Sequence, residues 1–280
     1  MNWRLHHGWV IGGTVLFAAV FTATDGIAQY LTTAGFLTSP EMELPSPVEQ
    51  MLWSADHETG DLSQWYENQS GAVFNTGTGQ VSITEAVTHK GRYALDLTIH
   101  AGDGEAHAAR IFRWYEDPKE AYYSAWFYFP QHFEPELWWN VFQFKSRTDT
   151  RNDPMWMLNV GNRSSGQMYL YLVYWPTNDS YSQHVLNLPM KRWVHIEVFY
   201  RRATAKTGRI TVWQDGIMLF DFNNVQTAIA DNVQWSVSNY TDSISPNDVT
   251  IYVDDAAIST ARLGLGNAIY LPIIYKRGLK

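Results

Sequence analysis

The 280-residue chain contains no cysteine, which removes disulfide scaffolds, thiol nucleophiles, iron–sulfur clusters and cysteine-ligated zinc together. Basic residues are also scarce: 20 Lys and Arg stand against 28 Asp and Glu, for a net charge of -8. A nucleic-acid partner normally needs a basic surface, so that class is set aside. Charged residues make up 17% of the chain and apolar ones 45%, a balance that excludes general disorder and leaves ample material for a core. Helical periodicity is missing too, with no run of three turns after residue 30. The excess is aromatic: 13 Trp, 16 Tyr and 13 Phe, together 15% of the chain.

One long uncharged run, GWVIGGTVLFAAVFTAT over residues 8–24, follows Arg4 and ends at Asp25, with Gly26-Ile27-Ala28 just after it. A basic start, a short apolar stretch and a small-x-small site predict a secretory signal peptide over residues 1–28. If uncleaved, the same segment is an N-terminal membrane anchor, although it falls short of the ~20 apolar residues that span a bilayer comfortably. The expected location is secreted or extracytoplasmic, with membrane contact through this segment alone. Residues 29–50, with three prolines and no sustained period, read as a linker. Residues 51–263 read as one domain, and 264–280 as a C-terminal tail with a basic tip.

Within the domain, short runs rich in Val, Ile, Tyr, Phe and Trp are separated by Gly, Pro, Asn and Asp. They lie near 94–100, 108–114, 122–129, 139–145, 155–160, 167–175, 193–201, 209–214, 217–222, 233–239 and 249–259, a spacing that suits a sandwich or barrel. Asp215-Gly216 between two such runs predicts a tight primed hairpin turn. The expected architecture is all-β, a two-sheet antiparallel β-sandwich of jelly-roll type.

Alternation assigns faces. Tyr123, Ala125, Phe127 and Phe129 share one face, opposite Tyr122, Ser124, Trp126 and Tyr128. Phe142 and Phe144 oppose Trp139, Val141, Gln143 and Lys145. Trp156, Leu158 and Val160 oppose Met157 and Asn159, while Met168, Leu170 and Leu172 oppose Gln167, Tyr169, Tyr171 and Trp175. Each strand thus has one apolar face for the core, while the other mixes aromatics with amides and a cation. Pyranose C–H faces stack on aromatic rings and their hydroxyls take bidentate hydrogen bonds, so this second face suits a sugar. Trp126, Tyr128, Trp139, Asn159, Tyr169, Trp175 and Tyr240 are the candidate substrate-binding residues. The competing reading makes these aromatics part of a thick core.

The segments DHETGDLSQWYE, KGRYALDL, YYSAWFYFP, WWNVFQFKS, KRWVHIEVFY, GRITVWQDGIMLFD and VTIYVDDAAIS resemble the concanavalin A-like lectin/glucanase superfamily. Within it they look most like the heparin lyase I-type polysaccharide lyases, over roughly residues 53–260. The resemblance implies a β-jelly roll with a concave substrate groove. The E-x-D-x-x-E strand that marks the laminarinase-like hydrolases does not occur, which argues against retaining hydrolysis.

A lyase must neutralise a uronate carboxylate, remove the neighbouring proton and protonate the leaving oxygen. The groups available on the proposed groove are Arg110, Gln143, Lys145, Asn159, Tyr169 and Tyr171. Arg110 in ARIFRW and Gln143 in VFQFK match the resembled family best, and Lys145 stands where many members of that family have a histidine. His184 or Tyr240 is the alternative source of a base or acid. The candidate catalytic set is therefore Arg110, Gln143, Lys145, Tyr171 and His184. The chemistry needs no cofactor. The resemblance also implies a structural calcium where the first and last segments of the domain meet, at Glu58 and Asp254. Lys145, Arg147, Arg151 and Arg163 form a local cationic cluster in an acidic chain, so the expected partner is a polysaccharide that is carboxylated rather than highly sulfated. The function expected is an exported protein that binds such a glycan and cleaves it by β-elimination; the alternative is a non-catalytic glycan-binding or surface-attachment protein.

Overall fold

The computed structural model describes residues 51–263 and the backbone of 274–277. The expected signal segment, the linker and most of the tail lie outside the described residues. In chain order the strands begin with β1 (Met51–Ala55), β2 (Gly71–Thr76), β3 (Gln80–Thr84), β4 (Ala94–His100), β5 (His107–Tyr115) and β6 (Glu120–Tyr128). A two-residue β7 (Glu134–Pro135) precedes β8 (Asn140–Arg147), β9 (Asn152–Asn162) and β10 (Met168–Tyr174). Next come β11 (Asp179–Gln183), β12 (Trp193–Arg201), β13 (Gly208–Gln214), β14 (Ile217–Val225) and β15 (Val233–Thr241). The last are β16 (Ile244–Ser245), β17 (Asp248–Ser259) and β18 (Ile274–Arg277).

The strands pair into two eight-stranded antiparallel sheets. One has the order β14-β13-β12-β6-β17-β4-β3, with β1 also on β17; the other has the order β18-β11-β10-β9-β8-β15-β5-β2. This is the expected two-sheet sandwich. Chain neighbours such as β12, β13 and β14 pair as hairpins, whereas β6–β17 and β5–β15 bring together segments far apart in sequence. The β13–β14 turn has positive φ at both Asp215 (50°) and Gly216 (79°), the backbone a primed turn requires.

The core lies between the sheets, where large apolar side chains are removed from water at roughly 1.5–3 kcal/mol each. Five of the tryptophans, Trp53, Trp65, Trp139, Trp156 and Trp235, are part of it. Trp53, Trp65 and Trp235 pack with ring centroids 4.8 to 6.0 Å apart, and Phe144 stacks on Tyr200 at 3.9 Å. The faces read from alternation hold for β6, β9 and β10: Tyr123, Ala125, Phe127, Trp156, Leu158, Leu170 and Leu172 are all buried in this core.

Strand β8 departs from simple alternation. Against β9 it steps from Asn140 to Phe142 while its partner moves only from Asn159 to Leu158. Such a bulge turns the side chains before it to the opposite face. Trp139, expected on the groove, is therefore fully buried in the core, where its indole donates to Asn239 Oδ1 at 2.9 Å. Val141 is also in the core, and Asn140 takes the outward position.

Candidate active site

A cleft of about 540 Å³ opens on the face of the second sheet that is turned away from the core. Its floor is built by β8, β9 and β10, which place Gln143, Asn140, Asn159, Met157, Tyr171 and Val173 on one surface. Leu137, Trp138 and Tyr240 form one wall, while Trp175, Asn178 and Ser180 come from the β10–β11 turn and its flank.

Four buried side chains form a hydrogen-bonded row across this surface. Ser238 Oγ donates to Asn140 Oδ1 at 2.9 Å, and Asn140 Nδ2 donates to Asn159 Oδ1 at 3.0 Å. Asn159 Nδ2 then donates to the Tyr171 hydroxyl oxygen at 3.3 Å. The amide orientations follow from the neighbours. Asn140 Nδ2 also faces the carbonyls of Phe142 and Leu158, so its nitrogen cannot exchange places with its oxygen without losing acceptors. That fixes Asn159 with its oxygen towards Asn140 and its nitrogen towards Tyr171.

Beside this row lies a cationic group. Arg110 on β5 is paired by register with Ser238 on β15 and is only 5% exposed. Its guanidinium sits between two rings, 4.9 Å from the centroid of Tyr240 and 5.9 Å from that of Phe74. Among the described residues its Nε and Nη2 have no acceptor. Burial lowers its pKa to about 10, because the low-dielectric surroundings disfavour the charged form. Lys145, two residues beyond Gln143 on the same face of β8, also has a lowered pKa, through its own burial first and the Arg110 charge second. Gln143 Oε1 is buried and has no donor among the described residues. Unpaired buried groups of this kind are costly. Two guanidinium nitrogens and an amide oxygen are thus buried without partners close to this cleft.

The structure brings Gln143, Asn159, Tyr171, Trp175 and Tyr240 together as lining of this cleft, with Arg110 and Lys145 adjoining. Tyr169 lies next to Tyr171, with ring centroids 6.1 Å apart, and its hydroxyl meets Ser182 Oγ at 3.3 Å. His184 falls outside the lining; its Nδ1 is 3.3 Å from Arg163 Nη1 at the far end of β11. Arg163 itself is held by Asn187 Oδ1 and the carbonyls of Gln183 and Leu186. The expected cationic rim is thus divided, since Arg151 pairs with Asp153 while Arg147 covers Trp114 at 4.1 Å.

Trp126 and Tyr128 do not reach the cleft. They lie on β6 in the other sheet, where Trp126 stacks on His89 at 3.9 Å and Tyr128 meets Trp193 at 5.5 Å. Alternation identified their face correctly, but a period of two does not say which sheet a strand joins. Sequence reasoning missed Asn140, Ser238, Trp138, Leu137 and Val173, and placed Met157 on the outward face without counting it as a site residue. Asn140 reaches the cleft only through the bulge, and Val173 gives an apolar signal that reads as core.

The oxygens of Glu58 and Asp254, the expected calcium ligands, are engaged by hydrogen-bond donors. Glu58 accepts the backbone N–H groups of Arg92 and Tyr93. Asp254 accepts those of Asp255 and His89, and the ring of His57 as well. Hydrogen-bond donors therefore face the oxygens a cation would need. Among the described residues no group of three or more His, Asp or Glu side chains could hold a metal. The first and last segments do meet, through this buried hydrogen-bonding and through the β1–β17 pairing. The indole of Trp65 donates to His57 Nε2 at 3.1 Å, so the His57 ring proton is on Nδ1 and is directed at Asp254.

The two antiparallel sheets form a jelly-roll sandwich with a polar and aromatic cleft across one of them. A model of the polysaccharide lyase family matches residues 57–257, and the chain belongs to that family. The fold is similar to the endo-β-1,4-glucuronan lyase of the fungus Trichoderma reesei at 20% identity and a TM-score of 0.56, covering 76% of this chain and 96% of that one. It is also similar to the PL-14 alginate lyase of Aplysia kurodai at 14% identity and a TM-score of 0.51, covering 76% and 100%. A third likeness is to the cellulose induced protein Cip1, at 16% identity and a TM-score of 0.50, covering 76% and 99%. No curated protein matches the chain.

Proposed function

We propose that this polysaccharide lyase cleaves a uronate-containing glycan by β-elimination in the cleft on the second sheet. The observation that carries the reading is Arg110, a buried guanidinium with two nitrogens lacking an acceptor beside an uncharged polar row. A substrate carboxylate offers the missing acceptors, and charge-assisted bonds of this kind are about twice as strong as neutral ones. Lys145 adds a second positive charge, and Gln143 takes a sugar hydroxyl on Oε1 while its amide nitrogen faces the carboxylate.

Neutralising the carboxylate acidifies the adjacent C5–H. A base removes that proton, the electron pair forms the C4–C5 double bond, and the C4–O bond breaks towards the leaving sugar, whose oxygen then takes a proton. Tyr171, held by Asn159, is the proton-transfer group this reading favours, with Tyr240 on the opposite wall as the second hydroxyl. Trp175, 50% exposed at the rim, is the stacking platform.

The likeness to heparin lyase I-type enzymes does not extend to a heavily sulfated substrate in this reading. None of the residues lining the cleft carries a formal charge, and the chain is net acidic. The glucuronan and alginate lyases that share the fold act on carboxylated polymers by their names, which supports the same class here. Export, expected from residues 1–28, is part of the proposal because a polymeric substrate is met outside the cell.

The test is ultraviolet absorbance of the unsaturated product over a panel of glucuronan, alginate and heparin. Absorbance growth on a non-sulfated uronan that is lost in Arg110→Ala supports the reading. Binding without any absorbance change would instead establish the glycan-binding alternative.

A further inference from the structure

The outward face of the second sheet continues past the cleft onto β5. Register sets three rows across the strands: Arg110 beside Ser238, then Phe112–Ser236–Gln143–Met157, then Trp114–Gln234–Lys145. Arg110 and Trp114 are four residues apart on one face of β5, about 13 Å between Cα atoms, and Phe112 lies midway. It is half-buried, and its cross-strand neighbours, Ala72 on β2 and Ser236 on β15, are too small to cover its ring.

Two guanidiniums flank Phe112 along the strand. Arg110 is held by Tyr240 and Phe74, and Arg147 reaches from β8 to lie over Trp114 at 4.1 Å. Every other arginine among the described residues donates to a side-chain or backbone oxygen. Rings alone hold the guanidiniums of these two. Ring contact occupies the face of a guanidinium and leaves its N–H edge, which meets a carboxylate in two parallel bonds. The recess beyond Trp114 also carries Glu67, Glu116 and Asp117. Arg147 pairs with none of them among the described residues, and Glu67 interacts with Arg113.

We propose that Phe112 is the floor of a further sugar subsite, and that Arg147, seated on Trp114, binds a second uronate carboxylate while Arg110 holds the first. This rests on the uronate reading of the cleft. In an extended 1,4-linked uronan successive sugars are turned over, so neighbouring carboxylates project from opposite edges of the chain. A chain laid along the Gln143 row and over Phe112 presents one edge to Arg110 and the other to Arg147. The ligand selected is a polymer of consecutive uronates. Where uronates alternate with neutral sugars, the neighbouring sugar has no carboxylate for Arg147. The acidic residues of the recess repel a denser anion, which works against sulfate esters at this position.

The experiment measures binding by calorimetry on a Tyr171→Phe chain. Its probes are glucuronan and alginate oligosaccharides, the same oligosaccharides after carboxyl reduction, and hyaluronan oligosaccharides, whose uronates alternate with a neutral amino sugar. Arg147→Gln is expected to weaken uronan binding about tenfold or more, the scale of a charge-assisted hydrogen bond. Binding of the reduced and the alternating probes should not change. Arg147→Lys, which keeps the charge without the planar edge, should recover part of the loss. The main chain of residue 147 keeps its two bonds to Asn232 in either variant, and a thermal melt checks the fold. Unchanged uronan affinity in Arg147→Gln overturns the inference; the lyase reading then stands if product absorbance still grows with Tyr171 in place. An equal loss on the reduced or alternating probes also overturns it, because the effect then does not depend on a second carboxylate. If uronans are bound but never cleaved, the lyase reading fails while the Arg147 ratio still decides the subsite. No binding of either uronan overturns both.

Discussion

Asn159 on β9 donates its side-chain N–H to the hydroxyl of Tyr171 on β10 at 3.3 Å, and the two residues are direct partners in the strand register. The bond sets which way the tyrosine oxygen presents its lone pairs. Asn159→Ala is expected to lower kcat by roughly ten- to a hundredfold, the range for losing a hydrogen bond to a group that becomes charged. Stability should fall by only about 1 kcal/mol, because Asn140 keeps the Phe142 and Leu158 carbonyls as acceptors. Initial rates and a thermal melt check both numbers; an unchanged kcat would remove Tyr171 from the chemistry.

Arg110 is expected to reduce stability while serving function. Burial lowers its pKa to about 10, so the folded chain holds this proton less tightly than the unfolded chain. Stability then rises as pH climbs from about 10 towards the guanidinium's ordinary value, and the penalty is fully present at every lower pH. Arg110→Met should therefore raise stability at neutral pH by about 1–3 kcal/mol while abolishing uronan binding. Paired denaturation and binding measurements test this. A destabilised variant would mean that the guanidinium has a structural partner.

Lys145 loses its charge at a lower pH than an ordinary lysine, because burial and the Arg110 charge both favour the neutral amine. If its charge helps to hold the carboxylate, kcat/KM falls with rising pH as that amine deprotonates. Lys145→Arg keeps the charge and should move the alkaline fall upward. A profile identical to that of the native chain would show that Lys145 does not titrate in the reaction.

Gly161 is paired with Tyr169 across β9 and β10. A Cβ added there would stand 3.2 Å from Tyr171 Cε1 and 3.4 Å from Tyr169 Cε1, tighter than normal packing. Gly161→Ala is expected to displace both rings slightly and lower activity a few-fold, with a melting temperature close to native. Gly161→Val should lower activity further. If both variants turn over at the native rate, the ring position is not limiting.

Trp139 and Trp175, paired in the sequence reading as groove aromatics, are expected to behave oppositely. Trp139→Ala leaves a core cavity and should cost about 3–5 kcal/mol. Trp175→Ala removes a half-exposed platform and should leave the melt unchanged while weakening glycan binding about tenfold, consistent with the loss of one stacking contact. Calorimetry and affinity electrophoresis separate the two effects.

The fold was legible in the sequence because alternation is a local property. Tyr123, Phe127, Leu170 and Leu172 declare a buried face within a few residues, and Asp215-Gly216 declares a turn. Much of the cleft was legible for the same reason, as with Asn159, Tyr171 and Gln143 on outward positions of adjacent strands. The rest depends on pairing between distant segments. Trp126 belongs to the other sheet because β6 pairs with β12 and β17, which nothing near residue 126 encodes. Asn140 and Trp139 exchange faces because of an extra residue that only the register with β9 reveals. His184 drew attention through its chemistry, yet it follows the end of β11 beside Arg163.

The extra residue at Asn140–Phe142 makes two neighbouring side chains of β8, Val141 and Phe142, face the core together. Parity is reset there, so that Trp139 stays inward while Asn140 and Gln143 both reach the cleft. Deleting Val141 would restore plain alternation with Asn140 still outward and Trp139 still inward. Straightening the strand at unchanged length would instead exchange the two, turning an indole towards the cleft and an amide into the core. The amide wall therefore tolerates loss of the added residue but not loss of the kink while that residue remains.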